Sequence, residues 1–90
     1  MKMRYPLLVV SILSLSASAF AGPECTKAPK SEWMSESAMK QRIADEGYVV
    51  EKFKTTDGNC YEIYGKDKDG KKVEIYFNPI DGTIVKEKRG

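Results

Sequence analysis

Glu62 and Glu74 are the residues whose type and context come closest to chemistry, because each sits in an alternating run, C-Y-E-I-Y and V-E-I-Y-F. Neighbouring strands would bring the two carboxyls together, and paired carboxyls can divide acid and base roles as in glycoside hydrolysis. That division requires a pocket to raise one pKa, and the alternation places both glutamates on a flat exposed face between tyrosines and lysines. The chain contains no histidine, which excludes a Ser-His or Cys-His nucleophile. The Asp67-Lys68-Asp69-Gly70 run matches the middle of a calcium loop, but Gly65 and Tyr76 occupy the first and twelfth ligand positions. A tight turn explains the same residues. No glycine run has phosphate-loop spacing, and Cys25 and Cys60 form neither a redox C-x-x-C nor, without histidine, a zinc set. The expectation is a protein with no catalytic, cofactor-binding or metal-binding residues, and not an enzyme.

The elements that would carry these residues form a meander. Tyr61-Glu62-Ile63-Tyr64 and Val73-Glu74-Ile75-Tyr76-Phe77 flank Asp69-Gly70, and a second Asp-Gly, Asp81-Gly82, precedes Thr83-Ile84-Val85. Period-2 alternation sends Tyr61, Ile63, Val73, Ile75 and Phe77 to one face and Glu62, Tyr64, Glu74 and Tyr76 to the other. The first face is a candidate core, whereas the second must meet water or a partner. Tyr64 and Tyr76, with Tyr48 nearby, form a candidate binding strip bordered by Glu62, Glu74 and Lys52, since tyrosine offers contact area at low entropic cost. The open sheet edge is a second docking candidate.

Residues 1–21 read as a secretory signal peptide: Lys2 and Arg4, an apolar run from Pro6 to Leu15, then Ala19-Phe20-Ala21 before the expected cleavage point. The run is shorter than the roughly 20 residues needed to span a bilayer, so no stable membrane anchor is expected after cleavage. Two of the 15 Lys and Arg residues leave with this segment, and the remaining 13 balance 13 Asp and Glu. A neutral exported domain with interspersed charges is poorly matched to nucleic acid. A core this small gains from a staple, and export delivers Cys25 and Cys60 to an oxidising compartment, so the two are expected to pair.

Residues 22–34, with Pro23 and Pro29, read as an irregular arm, and residues 35–90 as the folded domain. Ser35 is a good helix N-cap, with Met34 and Met39 placed as a hydrophobic staple and Gly47 as the C-cap. The predicted helix covers 36–46 and buries a narrow stripe, Ala38, Met39 and Ile43. Trp33 fits a lid on the edge of that core. In Tyr48-Val49-Val50-Glu51-Lys52-Phe53-Lys54 strict alternation fails; either Val49 and Phe53 point inward or a bulge intervenes, and the first is preferred. The fold class is therefore α+β: one N-terminal helix packed on one face of a 3–4 stranded antiparallel meander sheet.

This pattern resembles a PepSY domain, in particular the small secreted proteins made of a signal peptide and one such domain. The matching residues are W-M-S-E at 33–36, G-Y at 47–48, C-Y-E-I-Y at 60–64, D-K-D-G at 67–70 and V-E-I-Y-F-N-P-I-D-G-T-I-V at 73–85. The resemblance implies one helix on an antiparallel sheet and a non-enzymatic role, extending to inhibition of a peptidase outside the cytoplasm. Such inhibition would act in trans, and the resemblance carries over no catalytic residue. The expected protein is a periplasmic or secreted binding module for an extracytoplasmic peptidase or other envelope protein. The alternative is a stand-alone envelope protein that binds a small ligand or cell-wall component through its open sheet face.

Overall fold

The Ser35 side chain accepts a hydrogen bond from the Ala38 backbone N–H at 3.0 Å and so starts helix α1, Glu36–Asp45. Glu46 closes the helix and Gly47 turns the chain away with φ +97°, a left-handed conformation that glycine adopts at little cost. The computed structural model describes residues 22–90; the expected signal peptide, 1–21, lies outside the described residues. Met39 and Ile43, one turn apart, are the helix residues fully buried, and Ala38 is exposed. The apolar stripe is thus narrower than its spacing implies. It suffices because the helix covers only one side of a small sheet.

That sheet has four strands, β1 (Val49–Thr55), β2 (Tyr61–Lys66), β3 (Lys72–Phe77) and β4 (Ile84–Arg89), all antiparallel in the order β1-β2-β3-β4. The α+β reading holds, with the helix ahead of the sheet but behind residues 22–34 rather than at the start of the chain. Asp67 closes the β2–β3 turn, its Oδ1 accepting from the Asp69 and Lys71 amides at 2.9 Å each, which supports the turn reading of D-K-D-G. Opposite Ile63 stands Ile75. These two join Met39, Ile43, Tyr61, Val73 and Phe77 in one core cluster, with Trp33, Met34, Tyr48, Val50 and Phe53 packed around it. The Tyr61 hydroxyl donates to the Met34 carbonyl at 2.6 Å, and Trp33 meets the Tyr61 ring edge-on at 5.5 Å, consistent with its lid position.

Strand β1 departs from the preferred reading. Val50 and Phe53 pack toward the core, Val49 is 58% exposed, and the register shifts between Val50 and Lys52. A bulge at Glu51 lets two residues three apart share a face. Gly65, opposite Val50, makes room: an added Cβ would lie 1.9 Å from the Val49 carbonyl oxygen.

Cys25 and Cys60 are joined by a disulfide, with Cα atoms 5.1 Å apart. Around it the chain ahead of α1 is sewn to the loops at one end of the sheet. Cys25 N–H donates to Gly58 O at 2.9 Å, Asn78 Nδ2 to Cys25 O at 3.1 Å, and Met34 N–H to Pro79 O at 2.8 Å. Gly58 tolerates no side chain here, since a Cβ would fall 2.2 Å from Pro23 O. Within the 22–34 stretch, Lys30–Glu32 form one 3-10 turn.

Two stability outcomes are expected from this packing. Replacing both cysteines by serine should cost roughly 3–4 kcal/mol in the chain-entropy picture of a 35-residue loop, read as a lower urea midpoint. Gly65→Ala should cost at least as much as overpacking a core, about 1–3 kcal/mol, because the obstacle is backbone; an unchanged midpoint would exclude the bulge geometry.

Candidate functional site

The second sheet face is set by strand register. Lys54 pairs with Glu62, which pairs with Tyr76, which pairs with Lys86; one step along, Lys52 pairs with Tyr64, Tyr64 with Glu74 and Glu74 with Lys88. Two parallel rows result, each with a lysine at both borders and one acid and one tyrosine between. Directly opposed residues share a face and touch, so Glu62, Glu74, Tyr64 and Tyr76 form one cluster. Lys52 joins it through its Nζ, 5.9 Å from the Tyr64 ring centroid. Lys54 Nζ and Lys88 Nζ each stand 3.9 Å from a carboxylate oxygen, of Glu62 and Glu74 respectively.

This face is not the flat exposed surface that alternation predicts. Glu62 is 2% exposed and Tyr76 4%, Glu74 is half-buried, and only Tyr64 reaches well into solvent at 38%. The cover comes from the arm: Gly22 and Pro23 lie over the cluster and, with the β1–β2 loop at Thr56, Asp57 and Gly58, wall a groove of about 260 Å³. A Cβ at Gly22 would come within 2.6 Å of the Tyr76 ring. The proposed aromatic strip therefore divides. Tyr76 is a packed residue whose hydroxyl donates to Glu74 Oε2 at 2.8 Å, and Tyr64 is surface.

The expected lack of a pocket is overturned together with its electrostatic consequence. Burial, followed by the competing carboxyl of Glu74, raises the Glu62 pKa above the ordinary glutamate value. Glu74 moves the other way, chiefly through Glu62 and helped by the Tyr76 and Tyr64 hydroxyls, so the two carboxyls titrate as a coupled pair with Glu62 the weaker acid. The adjoining carboxyls, Glu62 first, push the Tyr64 phenol up to about 12; burial, then Glu74, raises Tyr76. Chemically the site can hold and exchange one proton and accept hydrogen bonds. Among the described residues no cluster of three or more His, Cys, Asp or Glu could hold a metal ion. Lys54, Lys88 and the Gly22-Pro23 cover were missing from the sequence reading. The lysines follow from continuing the register outward, and the cover follows from the Cys25 tether a few residues along the arm.

A pH profile checks this arrangement. Where the Gly22 nitrogen is still in peptide linkage, the raised pKa of Glu62 stabilises the fold below the glutamate value of about 4.3, and that contribution is lost as pH rises through the folded pKa. The lowered pKa of Glu74 acts oppositely, adding stability above that value that disappears in acid. Urea midpoints in this form should decline above mildly acidic pH, and Glu62→Gln should abolish the decline.

In comparisons with known proteins, the family described as peptidase propeptide and YPEB domain (PepSY) matches residues 6–88. No curated protein and no solved structure matches significantly. The family match spans nearly the whole chain. The chain belongs to the PepSY family of peptidase propeptide and YPEB domains.

Proposed function

We propose that this protein is an exported, non-enzymatic binding module whose Tyr64 side of the second sheet face docks another envelope protein, in the first place an extracytoplasmic peptidase whose activity it restrains in trans. Family membership supports a protein-binding role in broad terms, and PepSY domains accompany peptidase propeptides. The disulfide accords with an oxidising compartment. One observation carries the reading: Tyr64, bordered by Lys52 and Glu74 on paired strands, is the aromatic that stays exposed on the face opposite α1. An aromatic ring ringed by charges of both signs is the composition of an interface anchor with a polar rim.

Face docking is favoured over strand addition. Both border strands carry lysines, Lys52 and Lys54 on β1 and Lys86 and Lys88 on β4, and β1 is bulged as well. Charge and bulging both discourage an incoming strand. The small-ligand alternative draws on the groove, but about 260 Å³ lies below the roughly 300–1,000 Å³ of ordinary ligand sites.

The test pairs capture with activity. Immobilised mature protein should retain a metallopeptidase from periplasmic extract and slow its turnover when the two are purified and mixed. Lys52→Ala/Tyr64→Ala should weaken both effects about tenfold or more, as loss of a central aromatic anchor does, while leaving the urea midpoint nearly unchanged. Equal capture by both proteins, or capture by neither, would sink the proposal.

A further inference from the structure

Among the described residues, Glu62 Oε2 is the buried side-chain polar atom left without a hydrogen-bond partner. Its side chain is 3% exposed, and it faces the groove that Gly22 and Pro23 wall. A buried carboxylate in this position is costly unless a cation is close and itself shielded from water. Neither neighbouring lysine satisfies that requirement. Lys54 approaches the other carboxylate oxygen only to 3.9 Å with half its side chain in solvent, and Lys88, more exposed still, is engaged with Glu74. The Tyr76 hydroxyl donates to Glu74, and the Tyr64 and Tyr76 hydroxyls also serve the Glu62 carboxyl, yet its Oε2 atom stays without a partner. The groove thus offers one unpartnered acceptor atom, Glu62 Oε2, and some space beside it.

We infer that the Glu62 end of this groove is a binding site for a primary ammonium, and that its ligand is the α-ammonium group created on Gly22 when the signal peptide is removed. The sequence places the cleavage point after Ala19-Phe20-Ala21, directly before the residue that walls the groove. Hydrolysis of the Ala21–Gly22 amide adds hydroxyl to the Ala21 carbonyl carbon and hydrogen to the Gly22 nitrogen. The new carboxyl then loses a proton and the amine gains one, so a neutral peptide group is exchanged for a cation held against Tyr76. Glycine is required at this position for contact, since a Cβ would meet the Tyr76 ring at 2.6 Å and its hydroxyl at 3.0 Å. The disulfide at Cys25 keeps the terminus near Glu62, which makes the pairing intramolecular and lowers its entropic cost. Processing sets a cation against Glu62, and the loss of stability with rising pH described for the unprocessed linkage is reversed. The inference rests on the export reading and is independent of what Tyr64 binds.

The experiment uses protein exported to and purified from the periplasm, compared with a form carrying two additional residues ahead of Gly22, which displaces the ammonium. N-terminal sequencing of the exported form should begin at Gly22. At pH 7 its unfolding equilibrium constant should be smaller by roughly tenfold, the scale of one partly buried hydrogen bond to a charged group, and Glu62→Gln in both forms should remove the difference. As a readout independent of that variant's folding, the ¹⁵N-labelled Gly22 amine should titrate above the ordinary α-amino range of about 7.7–8.0. A start at another residue, equal unfolding constants for the two forms, or an ordinary amine titration would each overturn the site.

Discussion

The pairing of β2 with β3 is the constraint on which the remaining structure depends. By setting Ile63 against Ile75 and Glu62 against Tyr76, it assigns every side chain of the two central strands to one of two faces. A slip of one residue would exchange those faces and put both glutamates under the helix. The D-K-D-G turn holds the register at one end, with Asp67 satisfying its own turn amides and also meeting Arg89 of β4. Core, acidic cluster and surface tyrosine are all consequences of this one alignment.

A sheet this small has material for only one helical layer. α1 supplies Met39 and Ile43 to the first face, and no second helix lies against the other among the described residues. Irregular backbone takes that place. The arm starts over Tyr76, passes the end of the sheet where Cys25 is bonded to Cys60, and arrives at the core side where Trp33 closes over Tyr61. One short segment therefore covers part of both faces. It can do so because the disulfide and the hydrogen bonds at Gly58, Asn78 and Pro79 supply the order that a regular element would supply internally.

What could be read from the sequence divides along the same physical line. Val73, Ile75 and Phe77 alternate, strand geometry has period two, and their burial follows; Ser35 and Gly47 mark the helix ends because capping is a local interaction. The inward residues of β1 were less legible, since the bulge at Glu51 is permitted by the missing side chain of Gly65 on another strand. The burial of Glu62 and Tyr76 was hidden for a longer-range reason. Nothing in V-E-I-Y-F indicates that a segment tethered from across the chain will lie on its polar positions. Alternation identifies faces correctly, but it cannot say which of them stays uncovered. The candidate site was accordingly named by its residues while its shape and charge state were not.

The lysines that border both outer strands have a further consequence where copies of the protein meet. Two copies approaching side by side would bring Lys52 and Lys54, or Lys86 and Lys88, toward matching positive charges. That repulsion works against edge-to-edge growth of the meander into a ribbon.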